Sequence, residues 1–218
     1  MNDSKYPVRF ITFEGGEGAG KSTVINQVEQ YLLSRQIPVV KTREPGGTAF
    51  GEEMRNWLLN HKKEMFIGAK AELLLFLAAR AQHIEEVIAP ALQAGKVVLC
   101  DRFNDSTIAY QSAGRGLSAD SVKLLCELVV GSITPDLTFL LDVDPQIGLI
   151  RTREMMKENA HAGQVDRIEA EKIDFHQRVR KAFIDIAHDE HNRICLVDAN
   201  QPQQVVSNAV LKVISTYL

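Results

Sequence analysis

From Gly15 to Thr23 the chain reads GGEGAGKST, and its first eight residues fit the pattern G-x-x-x-x-G-K-[ST]. Gly15, Gly16, Gly18 and Gly20 let successive backbone N–H groups turn inward around a triphosphate, with Glu17 and Ala19 between them. Lys21 can reach the β and γ oxygens and Ser22 can hold Mg²⁺; Thr23 closes the run. The helix expected to start here adds its positive end. Phosphoryl transfer spreads negative charge over several oxygens, so its catalysis is mainly positioning plus cationic stabilisation. Glu17 stands where an arginine would help. An acid there repels phosphate, so it is expected to face away from the triphosphate and accept from a substrate hydroxyl. The missing cations have to come from elsewhere in the chain.

Four further segments offer them. In TREPGGT (42–48) the Pro-Gly-Gly core reads as a turn, and the helix after it has an apolar face of Met54, Trp57 and Leu58 that leaves Arg55 off the core side. In AELLLFLAARAQH (71–83), Leu74, Leu77, Ala81, Ile84 and Ile88 form the expected core stripe, and Phe76, Arg80 and His83 share a second face. A ring beside a guanidinium can stack a flat base and donate to its carbonyl edge; His83 is expected to be structural, at the helix surface. In DRFNDSTIAYQ (101–111), Asp101 can orient Mg²⁺ or its waters, Arg102 can meet phosphate, and Thr107, Tyr110 and Gln111 make one polar face. Finally, GLIRTR ends in Arg151 and Arg153, and Asp166-Arg167-Ile168-Glu169 follows the irregular MMKENAHAGQV, which reads as a mobile lid over about 151–168. Helical neighbours two apart differ by about 200°, so Arg151 and Arg153 cannot both face one point. One or both of Arg153 and Arg167 are expected to reach the phosphates only on closure.

These residues need a frame. Short β-branched runs at Val8–Phe13, Pro38–Thr42, Lys96–Cys100, Leu137–Val143 and Arg193–Asp198 read as strands. Helical patterns lie at 21–35, 48–60, 69–93, 104–112, 118–131, 145–157, 168–189 and 203–217. Alternating strand and helix predicts an α/β fold, a five-stranded parallel sheet flanked by helices on both faces. Ligands in such sheets bind outside the carboxyl ends of the strands, where the cradle and the Asp101-Arg102 pair fall.

The chain has 218 residues, 45% of them hydrophobic, which predicts one domain over 1–218 at roughly 150 residues per domain. Lys and Arg number 25 against 28 Asp and Glu, so no bulk positive field draws it to nucleic acid or an anionic membrane. Cys100, Cys126 and Cys195 lie in apolar runs without metal-ligand spacing and are expected as buried free thiols. With no signal segment and no run approaching the roughly 20 apolar residues of a membrane span, a cytoplasmic protein is expected. There is no N-K-x-D segment of the kind that reads guanine in GTPases of this fold.

FEGGEGAGKST, TREPGGT, LLFLAARAQH, DRFNDSTIAYQ, DRIE and VDANQP together resemble the thymidylate kinase family, in order and over about Phe10 to Val210. The resemblance implies a P-loop kinase that moves the γ-phosphoryl of ATP to dTMP with Mg²⁺, usually as a homodimer. It implies Phe76 stacked on thymine, Arg80 at the O4 edge, Thr107 and Gln111 beside the base, and Tyr110 against the deoxyribose. Arg55 and Arg102 would hold the dTMP phosphate, Glu17 would approach the 3′-hydroxyl, and VDANQP would pass under adenine. An acid in the P-loop with arginines in the lid resembles the bacterial type. Relatives of that type often have a short, Arg-dense lid; MMKENAHAG replaces part of it here, leaving Arg151, Arg153, Lys157 and Arg167 as candidate lid cations.

Overall fold

The computed structural model describes residues 8–59, 66–158 and 166–218. Strands β1 (Phe10–Glu14), β2 (Val39–Arg43), β3 (Val97–Asp101), β4 (Leu137–Asp142) and β5 (Ile194–Asp198) form one parallel sheet in the order β2-β3-β1-β4-β5. All five expected strands are present, each shifted by a residue or two at its ends. The central strand is β1, and the chain crosses from one side of it to the other between β3 and β4.

Every residue of β1 is buried, because both faces of the sheet are covered. Ile11 and Phe13 pack under α1 (Lys21–Ser34) and α9 (Gln203–Tyr217), with Val24, Val28, Val210 and Ile214. Phe10 faces the other way, against Val98, Ile88 and Phe103. Strand alternation puts Thr12 and Glu14 on that same side, and Thr12 shares a 2.7 Å hydrogen bond with Thr138 of β4. The remaining helices are α2 (Ala49–Leu59), α3 (Ala69–His83), α4 (Ala89–Gln93), α5 (Asn104–Thr107), α6 (Ala119–Val130), α7 (Pro145–Glu158) and α8 (Ile173–Asp189). Arg193, at the entry to β5, clamps Asp105 of α5 with two bonds of 2.8 and 2.9 Å.

Some expectations change. The helix foreseen over 69–93 is α3 and α4 joined by a π-helical turn, Ile84–Ile88. That wider turn precedes Pro90, whose ring would clash with the carbonyl four residues back in a regular helix. Of the expected core stripe, Leu77, Ile84 and Ile88 are buried and Ala81 is half-buried, but Leu74 is 58% exposed and Leu73 takes its place beside Leu77, Val122 and Cys126. His83 is wholly buried rather than at the helix surface. Cys100 and Cys126 are buried, but Cys195 is only half-buried because β5 is an edge strand. The pattern at 104–112 is α5 continued by a second π-helical stretch, Ile108–Gly114. Of the expected lid, residues up to 158 extend α7, residues 159–165 lie outside the described residues, and 167–170 make a turn before α8 begins at Ile173. Among the described residues, no helix is long and apolar enough to cross a membrane.

The stretch Ile108–Gly114 packs on α8, and a Cβ on Gly114 would lie 2.7 Å from the Phe175 ring and 3.2 Å from Val179. Neither ring nor backbone can retreat freely there. Gly114→Ala is therefore expected to destabilise the protein by about 1–3 kcal/mol, read as a lowered denaturant midpoint.

Candidate active site

A cavity of about 540 Å³ opens at the carboxyl ends of β1 and β3. Residues 17–23 line one side of it, and Phe76, Arg80, Thr107, Tyr110 and Gln111 line the other. The crossover on either side of β1 leaves a crevice at this point in the sheet.

The cradle follows β1 directly. Gly18 and Gly20 take φ of 66° and 83°, the left-handed region that lets the loop's N–H groups converge. The loop is also pressed against α7: a Cβ on Gly18 would strike the Gly148 carbonyl, and one on Gly148 would strike the Glu17 carbonyl. Lys21 Nζ donates to the carbonyls of Gly15 and Gly16 at 3.1 and 3.0 Å. Burial and the neighbouring Arg102 lower its pKa, against the pull of Asp101 and Glu17. Ser22 Oγ donates to Asp101 Oδ2 at 3.4 Å, and Asp101 Oδ1 is buried with no hydrogen-bond partner. A hydroxyl beside an unsatisfied carboxylate oxygen is a donor set suited to a hard divalent cation.

Arg102 joins the two sides. It sits at φ 69°, unusual for a side-chain-bearing residue, and its N–H donates to the Phe13 carbonyl at 3.0 Å. The turn aims its guanidinium back at the loop: Nη1 donates to Gly15 O and Ser106 Oγ at 3.0 and 3.1 Å, and Nη2 to Glu17 Oε2 at 2.7 Å. Tyr110 OH donates to the other Glu17 oxygen at 2.7 Å. Glu17 is thus a half-buried acid that accepts two hydrogen bonds, turned toward Arg102 and Tyr110. Burial opposes its ionisation, but Arg102 and Lys21 outweigh this and hold its pKa below the ordinary value. Burial, and then Glu17 among the charges, push the Tyr110 phenol well up. Beneath them lies Glu14, whose Oε1 accepts from Phe103 N at 2.7 Å and whose Oε2 meets Ser106 Oγ. Burial and the charge of Asp105 raise its pKa to about 8.

On the far side, Arg80 Nε donates to Glu44 Oε2 at 2.7 Å and Nη1 to Asn104 Oδ1 at 2.8 Å, with the guanidinium 4.9 Å from the Phe103 ring centre. Glu44 Oε1 lies 2.9 Å from His83 Nδ1, and His83 Nε2 lies 2.6 Å from Thr42 Oγ1. Arg55, also in the lining, donates to the Pro45 carbonyl at 2.9 Å.

The structure gathers Glu17, Gly18, Ala19, Gly20, Lys21, Ser22, Thr23, Arg55, Phe76, Arg80, Asp101, Arg102, Thr107, Tyr110 and Gln111 around one cavity. Arg153 and Lys157 are exposed on α7 and not part of the lining. Arg167 turns instead to the Leu58 carbonyl and to Glu72. Arg151 does reach the cavity, with its guanidinium fixed on the carbonyls of Ala199 and Asn200 at 2.7 and 3.2 Å. Sequence reasoning gives no role to Glu14, Glu44, Asp166 or Glu169. For Glu14 the signal was an acid ending an apolar strand; for Glu169, whose pKa burial and Asp166 raise to about 7, there was none.

A sheet of this topology, with a triphosphate cradle and a guanidinium-flanked slot in the same cavity, defines a P-loop phosphotransferase. A sequence model of thymidylate kinase matches residues 13–210. A thymidylate kinase of Protochlamydia amoebophila is 56% identical over 97% of this chain and 94% of its own, and one of Desulfovibrio desulfuricans is 47% identical over 96% of each. The crystal structure of thymidylate kinase from Ehrlichia chaffeensis superposes with a TM-score of 0.75 at 34% identity, covering 94% of this chain and 98% of that one. The chain belongs to the thymidylate kinase family.

Glu14 gives a pH test. Its folded pKa, about 8, lies above the ordinary 4.5, so the fold binds its proton more tightly than the unfolded chain does. Stability from this group is full below about pH 4.5 and is lost as pH rises through about 8. Gln resembles the protonated acid and does not titrate. In urea midpoints from about pH 5 to about pH 9, Glu14→Gln should lose less stability than the parent.

Proposed function

We propose that the protein transfers the γ-phosphoryl of ATP to dTMP, giving ADP and dTDP, as a single cytoplasmic domain. The observation that carries this is the shared cavity: residues 17–23 of the cradle and the Phe76/Arg80 slot open into one space that Arg102 also lines, while Gly15 and Gly16 lie behind it and Gly15 accepts from Arg102. In this reading Phe76 stacks on thymine, Arg80 donates to its O4, and Thr107 and Gln111 line the base. Tyr110 lies against the deoxyribose and disfavours a 2′-hydroxyl. Glu17 accepts from the 3′-hydroxyl, which agrees with its turn away from the cradle. Arg55 and Arg102 take the dTMP phosphate, and Lys21 takes the β and γ oxygens of ATP. Arg151 braces the loop at Ala199 and Asn200, under adenine.

Ser22 and Asp101 would hold Mg²⁺, which supplies charge neutralisation for the phosphates. The attacking phosphate has a second pKa of about 6, so at neutral pH it is already mostly anionic and no side chain has to remove a proton. The cations carry the chemistry by holding two anions together. A homodimer fits the apolar residues left on α3 and α6, where Leu74, Leu124 and Leu128 are 58, 66 and 76% exposed. The three free cysteines suit a reducing compartment.

An ADP-release assay across dTMP, dUMP, dCMP and thymidine should show the highest kcat/KM with dTMP; no turnover of any monophosphate would overturn the reading. Asp101→Asn should lower turnover about tenfold or more without moving the pH profile. A shift of that profile would instead make Asp101 a proton acceptor.

A further inference from the structure

Glu72, on α3, is 1% exposed and does not line the cavity, yet it binds three side chains from two other parts of the chain. Its Oε1 accepts from Gln111 Nε2 at 2.8 Å and from Arg115 Nε at 2.9 Å, and its Oε2 accepts from Arg167. An ionised carboxylate only accepts. The Gln111 amide therefore has to turn its NH₂ group to Glu72, and its oxygen is left over. That oxygen is buried without a hydrogen-bond partner, in a side chain that is 1% exposed and lines the cavity. A buried acceptor with nothing to accept favours a ligand that brings a donor. Thymine carries N3–H beside its O4 carbonyl, whereas cytosine carries a bare N3 acceptor beside an amino group.

We propose that Glu72 is a positioning residue for base selection: it fixes the Gln111 amide with its oxygen as the acceptor for a pyrimidine N3–H. Arg167 ties this setting to the wall of the cavity, because its backbone N–H bonds the Leu59 carbonyl and Leu59, Asp166, Ile168 and Glu169 all line the space. Arg167 is then a tether of the base site and not a cation for the transferred phosphoryl. The proposal rests on the thymidylate reading of the pocket. With Gln at position 72, either end of its amide can face Gln111, so the Gln111 amide is free to reverse and meet cytosine.

The test measures kcat and KM for dTMP and dCMP, and KM for ATP, in the parent, Glu72→Gln, Gln111→Leu and the double variant. Glu72→Gln should raise KM for dTMP and lower the dTMP-to-dCMP ratio of kcat/KM about tenfold, leaving KM for ATP within about twofold. In the Gln111→Leu background the same change should leave that ratio unmoved, which a merely structural role does not produce. If Glu72→Gln does not fold, Glu72→Asp keeps the negative charge but draws the carboxylate back from Gln111, and the same loss of selectivity is expected. An unchanged ratio in a folded variant, or a full effect persisting without Gln111, overturns the proposal. Failure of the parent enzyme to prefer dTMP is a separate result, against the thymidylate reading itself.

Discussion

Cations that must gather two polyanions also repel one another, and this repulsion is the constraint around which the site is built. Lys21 is buried and Arg102 is largely covered within the same cluster, and the guanidinium makes the lysine harder to charge. The fold answers with carboxylates set among them in the cavity wall. Glu17 pairs with Arg102 at 2.7 Å, and Asp101 stands beside Lys21. The acid at the second variable position of the cradle thus has a clear physical use: it keeps a guanidinium in place at the junction of two binding sites.

The same device recurs away from the cradle. Glu44 holds Arg80, Glu72 holds Arg115 and Arg167, and Asp105 holds Arg193. Buried ion pairs contribute little net stability once desolvation is counted, but removing one member of a pair is costly. Their value here is geometric. Each fixes a long, rotamer-rich side chain whose head would otherwise sweep a wide arc, and each joins elements far apart in sequence.

Much of this was legible before any coordinates. Apolar β-branched runs mark strands because both faces of a parallel sheet are buried, and the glycine spacing of the cradle leaves few other uses for it. Phe76, Arg80, Thr107, Tyr110 and Gln111 were found by helical spacing, and all five reach the cavity. Spacing failed where the helix departs from 3.6 residues per turn or where its neighbours decide which side is inside. Leu74 and Leu73 are equally apolar, and only the packing of α6 on α3 selects Leu73. His83 is buried because Glu44 and Thr42 come from another strand end to meet it. Glu72 looks like any helix acid until Gln111, Arg115 and Arg167 are brought to it. The left-handed turn at Arg102 has no signature in residue type at all, since arginine is not a residue chosen for such a turn.

The contact between Gly18 and Gly148 has a consequence for how this chain can vary. Each lacks a side chain because the other segment's backbone occupies the place where one would go. A mutation at either is penalised by the main chain of a distant region, which no compensating side-chain change can trim away. The two glycines therefore answer to one close approach of main chain, and moving α7 away from the cradle is what would free either position for a side chain.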